Sequence, residues 1–399
     1  MVLCENDFVR LIRKSCETKS EWFPTADYME IVEIGNEILC SYNIGKRLIG
    51  TCKQCRVLVM RTSYAQFFVA AIVCIFFILV LCFKNLPPPV PHMRLQTGGP
   101  PGVTVLLWWY PFGSQCKMPD CAALYGVQGC RVTTNRSFYA GAEAVIIHHR
   151  DILGNVSRLP QNPRPPAQKW IWMNFESPSH TSNLEELEGI FNWTMSYKLG
   201  SDIFMPYGSL QRKKTSKPEK LPQKNKLLAW VISNWNEDHA RIAFYWRLSR
   251  YINIDVYGRD AMSLVNDSVV QTVSRYKFYL AFENSQHPDY ITEKLWHNAL
   301  GSSAVPVVLG PSRWNYEKFL PGSAFIHVDD FSSPRMLAKY LKFLDRNPSA
   351  YRRYFSWKRT YQVHVTSFWN EHLCAVCTAA RAARYQTKVV SDLAGWFNS

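Results

Sequence analysis

YKFYLAFENSQHPDYITEKLWHNALGSSAVPVVLGP, residues 276–311, decides how this chain folds. Its two ends, 276–283 and 304–310, are short apolar runs rich in aromatic and β-branched residues, the composition of strands. Between them a loop carrying Pro288 and Asp289 leads into a helical pattern, with Asp289 or Thr292 as its expected cap and Glu293 near its positive end. A strand, a helix and a second strand that is apolar along its whole length read as a parallel unit buried on both faces.

The same alternation recurs on either side. VTVLLWW (103–109), AVIIHH (144–149) and KWIWMNF (169–175) lie in one half; LLAWVIS (227–233), INIDVYG (252–258) and AFIHVDD (324–330) complete the other. Between the halves runs QRKKTSKPEKLPQKNK (211–226), polar, basic and punctuated by proline, which reads as a linker. The expected fold class is therefore α/β, two Rossmann-like domains, 103–210 and 227–360, facing a cleft, with a C-terminal segment 361–399. Open parallel sheets bind ligands beyond the carboxyl ends of their strands. Glu176, the pair Ser233 and Asn234, and the pair Glu283 and Asn284 all sit at such ends.

Upstream, residues 62–83 contain no charged side chain, and FFVAAIVCIFFILVLCF at their centre suits a bilayer-spanning helix, which needs about 20 apolar residues. No small-residue cleavage site follows, so 62–84 is expected to be a retained signal anchor. Lys46, Arg47, Lys53, Arg56 and Arg61 precede it, and only Lys84 and Arg94 follow closely, which keeps the tail 1–61 cytosolic. The Pro- and Gly-rich 85–102 reads as a stem.

Lys and Arg outnumber Asp and Glu by 46 to 31, and residues 1–61 hold 9 against 8, so the positive excess lies beyond the anchor. Such a body attracts phosphorylated or acidic ligands; nucleic acid is excluded by the compartment. Of twelve cysteines, Cys116, Cys121, Cys130, Cys374 and Cys377 lie on the lumenal side. Cys374 and Cys377, three positions apart, are expected to be disulfide-bonded, with the pairing among the five left open. Sequons at Asn135, Asn155, Asn192 and Asn266 agree with that location.

FENSxxxDYITEK followed by VPVVLGP (305–311) resembles the donor-binding signature of glycosyltransferase family 10, the α1,3/4-fucosyltransferases. HHR (148–150), FESP (175–178), SDIF (201–204), PYG (206–208), FIHV (325–328) and CAVC (374–377) follow the family's order. The resemblance covers residues 103–399, and GIFNWTMSY, SDIFMPYG and the closing DLAGWF are most similar to leukocyte-type members that make sialyl Lewis x. Family tails are usually short, so the long segment before Met60 departs from the pattern.

The resemblance implies a GT-B fold, a Golgi type II membrane protein, and inverting transfer from GDP-β-L-fucose to the 3-OH of an N-acetylglucosamine in glycoprotein or glycolipid acceptors. Residues 103–210 would form the acceptor side and 227–360 the GDP-fucose side. Glu176 matches the proposed base, which a partly desolvated cleft suits. The leaving diphosphate needs cations. Asp-x-Asp is absent from the chain, so no tightly bound cofactor and no obligatory metal are expected, though manganese could stimulate. Arg241 and Lys294 are then the cationic clamp, with Ser233, Asn234, Asn284, Tyr290 and Glu293 around the donor. His148, His149 and Arg150 would line the acceptor cleft. Arg150, where tryptophan accompanies added α1,4 activity in the family, implies α1,3 linkage; the basic lumenal body and the leukocyte likeness imply α2,3-sialylated acceptors. Neutral N-acetyllactosamine as acceptor, or a glycan-binding homologue without turnover, are the alternatives; the presence of Glu176 and Lys294 speaks against the latter.

Overall fold

The computed structural model describes residues 29–34, 37–42, 102–214, 222–259, 261–383 and 386–399. The chain divides into two compact units, Met1–Met93 and Arg94–Ser399. In the first, β1 (Met29–Ile34) and β2 (Glu37–Tyr42) form an antiparallel hairpin with Met29 opposite Tyr42. The expected anchor 62–84 and most of the stem lie outside the described residues. Among the described residues no helix is long and apolar enough to cross a membrane.

The second unit is built on two parallel sheets. The first holds six strands, β3 (Val103–Leu107), β4 (Cys130–Thr133), β5 (Ala144–His148), β6 (Lys169–Met173), β7 (Trp193–Ser196) and β8 (Ile203–Phe204), in the order β4-β3-β5-β6-β7-β8. After β9 (Gly208–Arg212) comes the second sheet: β10 (Lys226–Val231), β11 (Asp255–Tyr257), β12 (Tyr276–Phe282), β13 (Val305–Leu309) and β14 (Ile326–His327), ordered β11-β10-β12-β13-β14. The strand–helix–strand reading of 276–311 thus holds: β12 and β13 pair in parallel register, Phe278 beside Val305.

The apolar runs are continuous because both faces of each sheet are covered. In the second sheet Leu228, Trp230, Phe278, Leu280 and Phe282 point into one core. The alternate residues Ala229, Tyr279, Ala281 and Val308 point into another on the opposite face. Period-two alternation places them so.

The expected boundary at 211 falls inside β9, which pairs antiparallel with β15 (Tyr361–Val365), Gly208 opposite Val365. The C-terminal segment therefore does not trail away. It folds back over the first sheet, where a helix, Asn370–Ala382, packs against β3 and β4 and shares the first domain's core through Leu373 and Val376.

Two disulfides fasten that return. Cys374 and Cys377 are not joined to each other; Cys374 bonds Cys121 and Cys377 bonds Cys130, closing separations of 253 and 247 residues. Helical spacing explains it: residues three apart share one helix face, and that face meets both partners. Cys116 is free among the described residues. Non-reducing peptide mapping should therefore recover the 121–374 and 130–377 cross-links. A peptide containing an intact 374–377 ring would contradict the pairing.

Asn135, Asn155 and Asn266 are exposed, as sequons require. Asn192 is half-buried, accepting from the Trp170 N–H and donating to the Lys388 carbonyl.

Candidate active site

A pocket of about 240 Å3 lies where the two sheets face each other. Phe112, His148, Phe175, Glu176 and Tyr207 line it from the first half, Glu293 from the second, and Phe368 and Trp369 from the returning C-terminal segment. The strand ends explain this convergence. His148 is the last residue of β5, Glu176 follows β6, and Phe112 follows β3, all at carboxyl edges.

Glu176 sits on a turn that its neighbours hold. Its backbone N–H donates to Asn174 Oδ1, and the Asn174 amide donates to Thr181 Oγ1. Thr181 in turn donates to the Ser177 carbonyl. The motif is stitched to the second domain: Ser285 Oγ donates to Ser177 Oγ at 2.7 Å, and Ser179 Oγ lies 2.6 Å from His287 Nε2. FESP and FENS, expected at separate strand ends, are thus in direct contact. Asn284, the neighbour of Ser285 in that seam, is partly exposed and approaches it only weakly.

Asp289 and Thr292 differ from the expected caps. Asp289 takes a positive φ of 64° and uses both carboxylate oxygens, accepting from Asn315 Nδ2 at 2.8 Å and from the Leu199 N–H at 3.1 Å. Thr292 gives its hydroxyl to Glu283 and its N–H to the same carboxylate, at 2.7 and 2.8 Å. The helix that follows spans Lys294–Leu300 and carries the wider i→i+5 bonding, a form that recurs at functional sites.

Lys294 is enclosed by carboxylates. Its Nζ lies 3.3 Å from Glu283 and 3.0 Å from Glu293, and it donates to Thr292 Oγ1 at 3.0 Å. Burial opposes the ammonium charge, but the two carboxylates outweigh it and raise its pKa. Burial works against ionisation of Glu293 too, and Lys294 reverses that, holding this carboxyl below its ordinary range. Glu283 has no exposure at all, and burial pushes its carboxyl up, with Lys294 as the principal counterweight.

Arg241, in the first turn of the helix Ala240–Ser249, is 5% exposed. One guanidinium nitrogen donates to the Asn234 carbonyl at 2.7 Å, whereas the buried Nε has no partner. Burial draws its pKa down, and Glu283, Tyr290 and Glu293 pull it back. Asn234 therefore acts through its backbone, positioning Arg241. Ser233 lines a second pocket of about 190 Å3 with Ile232, Trp235, Arg259 and Ala261. Gly258 makes its wall possible: at φ 141° a Cβ would lie 1.8 Å from the Ile232 carbonyl oxygen.

Tyr290 crosses between domains, packing against Tyr197 with ring centroids 5.1 Å apart inside the first domain's core. Burial and the carboxylates of Glu283 and Glu176 lift its phenol well above the usual range. Of the HHR triplet, only His148 faces the pocket. Its Nδ1 is 2.7 Å from Asp151, and its ring is held edge-on between Phe112 and Trp369. His149 turns the other way and accepts from the Trp172 indole, where burial lowers its pKa to about 4. His148 ends β5 and His149 opens the short helix His149–Ile152, so the two rings leave from different elements and only the first meets the cleft. Arg150 is exposed and is not among the pocket-lining residues.

Of the aromatic walls, Phe175 and Tyr207 belong to the FESP and PYG motifs, whereas Phe112, Phe368 and Trp369 belong to none; only the folding-back of the C-terminus brings the last two there.

Two family models match the chain: glycosyltransferase family 10 (fucosyltransferase) C-term over residues 221–396, and fucosyltransferase, N-terminal, over 100–208. The chain belongs to glycosyltransferase family 10. Similar relatives of this fucosyltransferase include the human alpha-(1,3)-fucosyltransferase 4, 45% identical over 373 residues, covering 82% of this chain and 70% of that protein. The rat 4-galactosyl-N-acetylglucosaminide 3-alpha-L-fucosyltransferase 9 is 48% identical over 296 residues, covering 74% and 82%. A solved alpha1,3-fucosyltransferase structure with GDP-fucose aligns at TM-score 0.49 and 16% identity, over 74% of this chain and 94% of that one.

Proposed function

We propose that this enzyme transfers L-fucose from GDP-fucose to the 3-OH of N-acetylglucosamine in N-acetyllactosamine glycans, with inversion, and that it prefers acceptors already carrying α2,3-sialic acid. The observation that carries the reading is the pocket itself: Glu176, in no ion pair among the described residues, lines it from the first half, and Glu293, which pairs with Lys294 and acts on the buried Arg241, lines it from the second.

Glu176 takes the proton of the acceptor 3-OH as that oxygen bonds fucose C1; the bond from C1 to the β-phosphate oxygen breaks with its electron pair, and GDP leaves. The unfilled Nε donor of Arg241 meets the growing diphosphate charge, assisted by Lys294. Glu293, Tyr290 and Asn284 lie on the donor side of the same seam, and the pocket beside Ser233 suits the nucleoside. The aromatic walls offer apolar faces to the acceptor sugar, with His148 among them. The sialylated preference is supported by the positive excess beyond residue 61. Residues 62–84 would anchor the enzyme in the Golgi membrane, with the catalytic unit lumenal.

The test is kcat/KM for α2,3-sialylated against neutral N-acetyllactosamine at two salt concentrations, with and without EDTA. The sialylated acceptor should win, less so at high salt, and chelation should leave substantial activity. Among the described residues no group of three or more His, Cys, Asp or Glu could hold a metal ion. Equal values would remove the sialylated preference, and complete, manganese-reversible loss would replace the side-chain clamp with a metal.

A further inference from the structure

At the carboxyl end of β3, three residues before pocket-lining Phe112, lies a cationic and aromatic shelf. Trp108 and Trp109 stand edge to face with ring centroids 6.4 Å apart. Both indole N–H groups donate to the carbonyl of Arg158, at 2.9 and 3.0 Å. The Arg136 guanidinium stacks on both rings, its Cζ 4.0 Å from the Trp108 centroid and 4.4 Å from that of Trp109. That of Arg158 lies 5.3 Å from the Trp109 centroid. Two guanidinium groups are thus brought to one indole.

Neither arginine is spent on a carboxylate among the described residues. Arg136 donates one weak bond to the Trp108 carbonyl at 3.4 Å, and the side chain of Arg158 makes no hydrogen bond among the described residues. Both residues are exposed. Stacking on indoles fixes the planes of the forks while leaving their N–H edges open, and such forks match carboxylate or sulfate oxygens. Like charges drawn together without an acid between them favour an anion at that point.

We infer that Arg136 and Arg158, on the Trp108–Trp109 shelf, form a subsite for an anionic substituent on the galactose of the acceptor. This rests on the acceptor reading given above. In this proposal the acceptor hydroxyl meets Glu176 and the galactose on the neighbouring 4-OH leaves the pocket past Phe112, which is 57% exposed at its rim. Three residues span at most about 10 Å, so Trp109 lies within one further sugar of that mouth. The anion is the carboxylate of an α2,3-linked sialic acid or a sulfate ester at the same hydroxyl.

The experiment compares wild type, Arg136→Gln, Arg158→Gln and the double variant on three acceptors: neutral, 3′-sialylated and 3′-sulfated N-acetyllactosamine. The readout is the ratio of kcat/KM for each anionic acceptor over the neutral one within a single preparation, which cancels any difference in folded fraction. In the double variant the ratio should fall about tenfold, equivalent to about 1.4 kcal/mol, mostly through the KM of the anionic acceptor. Arg158→Gln alone should give a partial fall. A fall confined to the sialylated or to the sulfated acceptor supports the subsite and names its anion. A wild-type preference that survives intact in the double variant overturns the subsite alone. No wild-type preference for either anion overturns the subsite together with the sialylated reading.

Discussion

Glu176→Gln lowers the transfer rate by about 10²- to 10⁴-fold, the usual worth of a positioned general base, and leaves GDP affinity nearly unchanged. The substitution is nearly isosteric, and the contact that shapes the turn runs from the residue's backbone N–H to Asn174, so the variant keeps its fold. GDP binding survives because the cations proposed to hold it, Arg241 and Lys294, stand apart from the altered carboxyl. Transfer within tenfold of wild type would show that another group takes the proton. Titration calorimetry with GDP separates this result from damage to the donor side.

Lys294→Ala should be nearly as damaging, for two reasons that can be told apart. Removing the ammonium leaves Glu283, which has no exposure, as an unpaired buried charge, typically a cost of about 3–5 kcal/mol in stability. It also removes one of the two cations proposed to meet the diphosphate, worth about 1.5–3 kcal/mol for a charge-assisted hydrogen bond, or roughly 10- to 100-fold in donor KM or kcat. Adding Glu283→Gln to a Lys294→Met background relieves the first defect, because an uncharged amide no longer needs the cation. The expected outcome is a recovered Tm with donor KM or kcat still impaired. Recovery of both would reduce Lys294 to a structural partner of Glu283.

The parts of this molecule that could be read from sequence are those set by short-range patterning. Strands β5, β6, β10, β12 and β13 are apolar on both faces and announce themselves. β4 and β8 do not: one is an edge strand of half-buried residues, CRVT, and the other has two residues. β9 straddles the start of the segment whose charge reads as linker and lay hidden because its partner, β15, is about 150 residues distant in sequence, and such pairing leaves no local trace.

The candidate site divides the same way. Glu176, Tyr290, Glu293 and Lys294 were visible as polar groups within motifs beyond strand ends, and Arg241 as a cation near the start of a helix. That Asp289 would bridge Leu199 and Asn315 rather than cap a helix was not, since both partners come from elsewhere in the chain. His149 was misplaced for a simpler reason: sequence shows two adjacent histidines, and only the point where β5 ends, at His148, and the next helix begins decides that His148 meets the cleft and His149 meets Trp172. Cys374 and Cys377 likewise look like partners at short spacing, and a helix puts them side by side facing Cys121 and Cys130 instead.

The most direct test of the account is the NMR structure of the product formed by the purified full chain from GDP-β-L-fucose and N-acetyllactosamine. The account predicts a single fucose on O3 of the N-acetylglucosamine with an α anomeric proton, which reports linkage and inversion together. A β-linked product, attachment at another hydroxyl, or GDP released without any fucosylated glycan would contradict it.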